Sequence, residues 1–250
     1  MFDIAKSWSD ARIAKKYERV AKRLKPEGCT YKGKFTLKVE SITDMGTHVG
    51  VSAVWADKYS KEKEPDPRYW AVQTLTKYFF DLGQREGFAT TGYTSCKMML
   101  DGREEQFCCA SNYMGGEWYD FCLVKFTSDD GDSSSDGASK RMQSVTTHAA
   151  RILGMFKYKR FISDLDDGTC AVVHTSKDPV TLEVMQSKFV HGFELGADPD
   201  TDYCVVPMYS IVQPLFVYKN HGGPLGQHFC TLPRRRWARY FGDKIRLLDK

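Results

Sequence analysis

No run of this sequence stays apolar for long. The longest stretch without a charge, Tyr203 to Tyr218, contains Pro207 and Pro214, and it is shorter than the roughly 20 apolar residues that a bilayer-spanning helix requires. Asp3 and Lys6 bracket a very short apolar start, which leaves no hydrophobic region of the secretory kind, so no membrane partner is expected. No Asn-x-Ser/Thr acceptor occurs. The eight cysteines, Cys29, Cys96, Cys108, Cys109, Cys122, Cys170, Cys204 and Cys230, sit mostly in apolar, strand-like runs. That setting predicts reduced thiols in an intracellular protein, nuclear or cytoplasmic, or in a virion if the chain is virus-derived.

Motifs that carry chemistry are scarce as well. Cys-x-x-Cys and closely spaced His pairs are missing, and Cys108 with Cys109 on a strand would point to opposite faces. The densest nitrogen and sulfur cluster, His221, His228 and Cys230 within HGGPLGQHFC, reads as a glycine-rich loop with incidental ligands. The nucleophile elbow Gly-x-Ser-x-Gly is absent. Gly115-Gly116 and Gly222-Gly223 lack the Lys-Ser/Thr of a phosphate loop and the strand and helix context of a dinucleotide fingerprint, so both read as turns. Asp164, Asp166 and Asp167 run into Gly168 and read as a turn too. No catalytic residue, metal or cofactor is nominated.

What is present is enough apolar material to fold. With 42% hydrophobic, 13% aromatic and 27% charged residues, the 250-residue chain is far from a disordered composition. Its charge is uneven. Residues 1–40 carry 11 Lys/Arg against 5 Asp/Glu and residues 231–250 carry 7 against 2, whereas the middle has 18 against 25. An acidic body with basic ends suggests a negatively charged partner, either nucleic acid or an acidic protein surface.

Spacing then suggests three parts. Ile13, Tyr17, Val20 and Leu24 outline a helix over 7–25 whose other side carries Arg12, Lys15, Lys16, Arg19, Lys22 and Arg23. This stripe reads either as a solvated face or as an anion contact. Phe35, Leu37 and Val39 alternate with Lys34, Thr36, Lys38 and Glu40, predicting a strand paired with 48–56; Ala71, Val72, Leu75, Tyr78, Phe79 and Leu82 predict a helix ending near Gly87. Residues 1–87 are therefore expected to form a helix, hairpin and helix unit. Residues 88–232 read as a β-rich body, with short strands at 93–100, 104–110, 117–126, 149–158, 169–175, 188–195 and 203–206 in a bent antiparallel sheet or small barrel. Asp129 to Gly137 reads as a solvated loop. Residues 233–250 read as a short basic helix, with Trp237, Phe241, Ile245 and Leu248 on one side and Arg234, Arg235, Arg236 and Arg239 mostly off it. The expected class is α+β.

The aromatic segment NYMGGEWYDFCLVKF, Asn112 to Phe126, is the most distinctive. Trp118, Tyr119 and Phe121 follow a Gly-Gly turn, so their rings either line a pocket for a peptide or a cation or belong to the core with their polar atoms satisfied. Together with Ala150 to Phe156, Ala171 to His174 and Val206 to Phe216, this segment resembles an uncharacterised β module of mobile-element or virus-like proteins of single-celled eukaryotes. Its order of elements is similar to chromatin-reading BAH and Tudor-like barrels. The resemblance covers roughly residues 90–240; it implies a nucleic-acid-associated setting and no site residue.

The reading that follows is a non-enzymatic protein that engages nucleic-acid phosphates with little sequence specificity through Arg12 to Arg23 and Arg234 to Arg239. The alternative is a structural or assembly subunit, capsid-type or part of a complex, that binds protein neighbours and self-associates. An enzyme with an unrecognised site comes third.

Overall fold

The computed structural model describes residues 29–52, 67–100, 103–113, 116–128, 144–158, 168–181, 190–219 and 227–231. In chain order these form β1 (Thr30–Ile42), β2 (His48–Ser52), α1 (Pro67–Asp81), β3 (Glu86–Leu100), β4 (Arg103–Tyr113), β5 (Gly116–Tyr119) and β6 (Phe121–Ser128). There follow β7 (Ser144–Tyr158), β8 (Gly168–Thr175), β9 (His191–Glu194), β10 (Tyr203–Pro207), a 3₁₀ turn (Met208–Ser210), β11 (Ile211–Lys219) and β12 (Gln227–Thr231). Among the described residues every strand pairing is antiparallel.

This corrects the expected α+β class. The 34–40 alternation does make a strand, but β1 runs longer and pairs with β3 from Thr30↔Lys97 to Ser41↔Glu86, so the β1–β2 hairpin is the margin of the main sheet and belongs to no separate helix, hairpin and helix unit. Among the described residues α1 is the sole α-helix. The helices expected over 7–25 and 233–250 lie outside the described residues.

Helix α1 starts at Pro67, whose fixed φ suits a first helical position, and buries Ala71, Val72, Leu75, Thr76 and Phe79 on one face. It stops at Asp81, six residues before Gly87, because Gly83 takes a left-handed φ of 95°. There the Gly83 amide donates to Phe80 O and the Gln84 amide to Phe79 O, both at 2.9 Å, so the last carbonyls are satisfied in a glycine cap.

The sheet follows the path β2-β1-β3-β7-β6-β11-β12-β9 and branches on the way. β3 meets β7 only at Gly92↔Phe156 and Tyr93↔Met155, then turns to β4 from Ser95↔Cys108 onward. β7 meets β6 from Arg151↔Phe121 outward, with β8 and then β10 on its other side.

Side chains from β3, β4, β6, β7, β8 and the Met208 turn make the largest core, including Phe107, Ile152, Met155 and Val173. A second core, Leu37, Leu75, Leu153, Phe156 and Val172 among others, lies under α1. A third holds β9, β11 and β12, with Leu123, Phe193, Leu215 and Cys230. In β7 the register shifts between Ile152 and Gly154. One extra residue exchanges the faces, which is why Ile152 and Met155 enter the same core across an odd spacing while Leu153 and Phe156 face the helix. A side chain at Gly154 would lie 2.5 Å from the Phe156 ring and 3.6 Å from Ala71 Cβ, so glycine lets the bulge pass beneath α1.

Candidate nucleic-acid interface

The aromatic segment sits where the sheet branches. β5 ends at Tyr119 and β6 begins at Phe121, leaving Asp120 between them. Its amide donates to Cys108 O (2.9 Å) and its carbonyl accepts from the Ile152 amide (2.9 Å), so the backbone of one residue joins β4 to β7. The carboxylate accepts from the Cys108 amide at Oδ2 (2.6 Å) and from the Trp118 indole at Oδ1 (2.8 Å). Burial pushes the Asp120 carboxyl above the ordinary aspartate range, with the two hydrogen bonds opposing.

The three rings diverge instead of converging on a pocket. Trp118 is 51% exposed, whereas Tyr119, its neighbour in β5, is buried in the largest core with the Arg151 guanidinium 4.7 Å above its ring. Phe121 packs 6.1 Å from Phe193 and 5.9 Å from His228 in the third core. Burial, the first half of the core expectation, thus holds for Tyr119 and in part for Phe121. Trp118 keeps the polar contact of that reading without the burial.

Elsewhere the described residues offer rings without nucleophiles. Trp70 stacks on Tyr203 at 4.8 Å and Tyr203 on His174 at 4.1 Å, and His174 Nε2 donates to Gly196 O at 2.7 Å. An open groove of about 440 Å³ runs between β2 and α1, lined by His48, Val49, Gly50, Val51, Tyr69 and Gln73. His48 Nδ1 and Gln73 Oε1 are 2.9 Å apart across it. All eight cysteines are free thiols. Burial pushes Cys96, Cys170, Cys204 and Cys230 up to about 12 and raises Cys109 and Cys122 as well, the opposite of what an attacking thiolate requires. His228 and Cys230 lie on β12, and His221 lies outside the described residues. Among the described residues no three His, Cys, Asp or Glu gather as metal ligands.

Cations gather on β1 instead. Thr30, Lys32, Lys34, Thr36, Lys38 and Glu40 alternate on the exposed face while Leu37 and Val39 are buried. Lys32, Lys34 and Lys38 have no acidic partner among the described residues, whereas Lys97 is held by Glu104 at 2.6 Å. β2 covers β1 only from Lys38 onward, so among the described residues the 30–37 half of β1 also has one unpaired edge.

The expected contact residues Arg12, Lys15, Lys16, Arg19, Lys22, Arg23, Arg234, Arg235, Arg236 and Arg239 lie outside the described residues. The β1 lysines had a signal in the sequence: alternation at 34–40 put Lys34 and Lys38 on one face. The exposed rings of Phe216 and Tyr218 on β11 had no such signal, because Pro214 speaks against a strand. β11 accommodates that proline one pair beyond a register shift at Ile211/Gln213.

The chain matches no protein-family model, no curated protein and no solved structure.

Proposed function

We propose that this protein is a non-enzymatic nucleic-acid-binding protein whose contacts are mainly to phosphates. The observation that carries the reading is the row of exposed lysines on β1, Lys32, Lys34 and Lys38, none of them in an ion pair with a described carboxylate. Lys32 and Lys34 flank Gly33, whose φ is 65°, and both are exposed. They follow directly on the basic segment 1–28, so the described part of the chain continues a cationic run that begins upstream. Exposed lysines on a strand with an open edge also discourage edge-to-edge aggregation. The two roles predict different losses on removing the charge.

Each phosphate neutralised contributes about 0.7–0.9 to the slope of log K against log salt. The test is fluorescence anisotropy with a labelled oligonucleotide across a salt series, for the full chain and for K32Q/K34Q/K38Q. The expected result is steep salt dependence that shrinks by about 0.7–0.9 for each engaged lysine. A salt-insensitive affinity, no binding at low salt, or a variant that aggregates yet binds unchanged would overturn it.

A further inference from the structure

We propose that Trp118 is the stacking surface for an unpaired base of single-stranded nucleic acid whose phosphates meet Lys32 on the same sheet face, an inference that rests on the nucleic-acid reading above. Residues paired across neighbouring strands project to one face, and alternate residues of a strand share it. Lys32 of β1 pairs with Ser95 of β3, and Ser95 with Cys108 of β4. Two residues along β4 from Cys108, Ala110 pairs with Trp118 of β5. Lys32 and Trp118 therefore stand on one face of the four strands β1, β3, β4 and β5. The opposite face is the largest core, with Cys96, Phe107, Cys109 and Tyr119. On the outer face Thr30, Lys32 and Trp118 are exposed and Ser95, Lys97 and Gln106 are half-buried, while Cys108 is buried beside Asp120.

The ring is held as well as exposed. Its indole N–H donates to Asp120 Oδ1 at 2.8 Å, and Asp120 Oδ2 takes the Cys108 amide at 2.6 Å. A carboxylate tied to the β4 backbone thus orients a ring that is 51% exposed. Taking that carboxylate out of water is costly, and the ring it holds adds less to the core than a buried tryptophan would. A large π-face fixed in solvent suits an occupant that stacks, and every base has a flat face. The charge on offer selects a polyanion. Asp120 turns both carboxylate oxygens to N–H donors, and Glu104, which shares this face through Gln106 and Cys108, is held by Lys97 at 2.6 Å. Lys32 is exposed and in no ion pair with a described carboxylate. With strands about 4.8 Å apart, three steps put the Lys32 backbone about 14 Å from the Asp120 end of β5. A strand that lays a base on Trp118 therefore brings nearby phosphates toward Lys32. A duplex keeps its bases stacked on one another and offers the ring none.

The test compares three labelled probes in anisotropy: a single strand, an abasic strand of the same length, and a duplex. The single strand is expected to bind at least about tenfold tighter than the abasic strand, and Trp118→Leu to remove that advantage while abasic and duplex affinities stay within about twofold. Trp118→Phe keeps a flat ring without the indole N–H and should retain most of the advantage. A second readout does not depend on how well the leucine variant folds. Saturating single strand should quench the tryptophan fluorescence of the full chain, and Trp118→Phe should lose that quench while still binding. Unchanged single-strand affinity in Trp118→Leu, equal losses on all three probes, or a quench that survives in Trp118→Phe would overturn the stacking role and leave phosphate binding standing. A dimer seen by mass photometry that Trp118→Leu dissolves without changing strand affinity would make this face a self-association surface instead. Failure of the parent chain to bind any probe would remove the nucleic-acid reading itself, and this inference with it.

Discussion

Asp120 and Cys108 are hydrogen-bonded twice: the Asp120 amide donates to Cys108 O at 2.9 Å, and the Cys108 amide donates to Asp120 Oδ2 at 2.6 Å. One residue thereby closes the junction between the β4 and β6 branches with both its backbone and its side chain, and its other carboxylate oxygen takes the Trp118 indole. Asp120→Asn would set an amide NH₂ or a weaker acceptor against one of these donors, a loss of about 1–3 kcal/mol. The burial that raises this carboxyl also fixes the sign of its pH effect. Between the ordinary aspartate value and the raised one the folded state holds more protons than the unfolded state, so stability falls as pH rises through that window. Urea midpoints across mildly acidic pH should show this slope in the parent and not in Asp120→Asn; a slope of opposite sign would refute the assignment.

Neighbouring rings should differ sharply in what they hold. Tyr119 is buried with Arg151 over its ring, whereas Trp118 is half exposed. Tyr119→Ala should cost about 3–5 kcal/mol, the range for a buried aromatic, and Trp118→Ala about 1–2 kcal/mol, close to the loss of one hydrogen bond to a charged acceptor. Thermal melts of the two variants decide it. Equal losses would mean that Trp118 is a core residue after all.

These differences mark how far the sequence was legible. Alternation found β1 because its two faces meet different media, lysines outward and Leu37 and Val39 inward. The same rule could not divide the run 117–126, where one residue, Asp120, passes the chain from β5 to β6 without a glycine or proline to announce it. Nor could it follow β7, whose bulge before Gly154 reverses the faces, or β11, where Pro214 masks a strand. Hairpin membership was illegible for a different reason: whether β1 pairs only with β2 or also with β3 depends on residues more than 40 positions away. Local pattern revealed the lysine row, while the exposed Phe216 and Tyr218 emerged only once β11 was seen to continue through Pro214.

Gly154 provides a test of the bulge. The nearest atoms to an added Cβ belong to the Phe156 ring, itself fully buried, and to Ala71 of α1. Neither has room to withdraw. Gly154→Ala should therefore destabilise by about 1–3 kcal/mol through overpacking. Pairing it with Phe156→Leu should recover part of the loss, since the two sites are in contact and their effects are not additive. Denaturant midpoints of the single and double variants measure the coupling; simple additivity would show that the ring is not what crowds the site.

Thiol reactivity reports burial directly. Six cysteines are buried, and Cys29 and Cys204 are partly exposed. A thiol pushed up to about 12, as for Cys96, Cys170, Cys204 and Cys230, is ionised to about one part in ten thousand at pH 8 and reacts slowly. Native protein should consume at most one or two equivalents of thiol reagent quickly. Denatured, unreduced protein should consume eight. Fast reaction of four or more thiols in the native state would show an open core.

His174 sets a pH dependence of the opposite sign to that of Asp120. Its ring stacks 4.1 Å from Tyr203, and its Nε2 donates to Gly196 O at 2.7 Å. Burial lowers its pKa, and the Arg151 and His228 charges act in the same direction, while the bond to Gly196 and the Asp202 carboxylate oppose. The folded state thus binds the proton less readily than the unfolded chain, whose histidine titrates near about 6.5. Stability contributed by the neutral ring is complete above that pH and is lost as pH falls through the window below it. His174→Phe keeps a flat ring beside Tyr203 and cannot titrate. It should cost about 1 kcal/mol at pH 8 for the missing hydrogen bond, and the gap to the parent should narrow as pH is lowered from about 7 to 5. The other histidines remain in both proteins, so the difference between their unfolding midpoints isolates this ring. A gap that is constant with pH, or that widens on acidification, would show that His174 is charged or solvated in the fold.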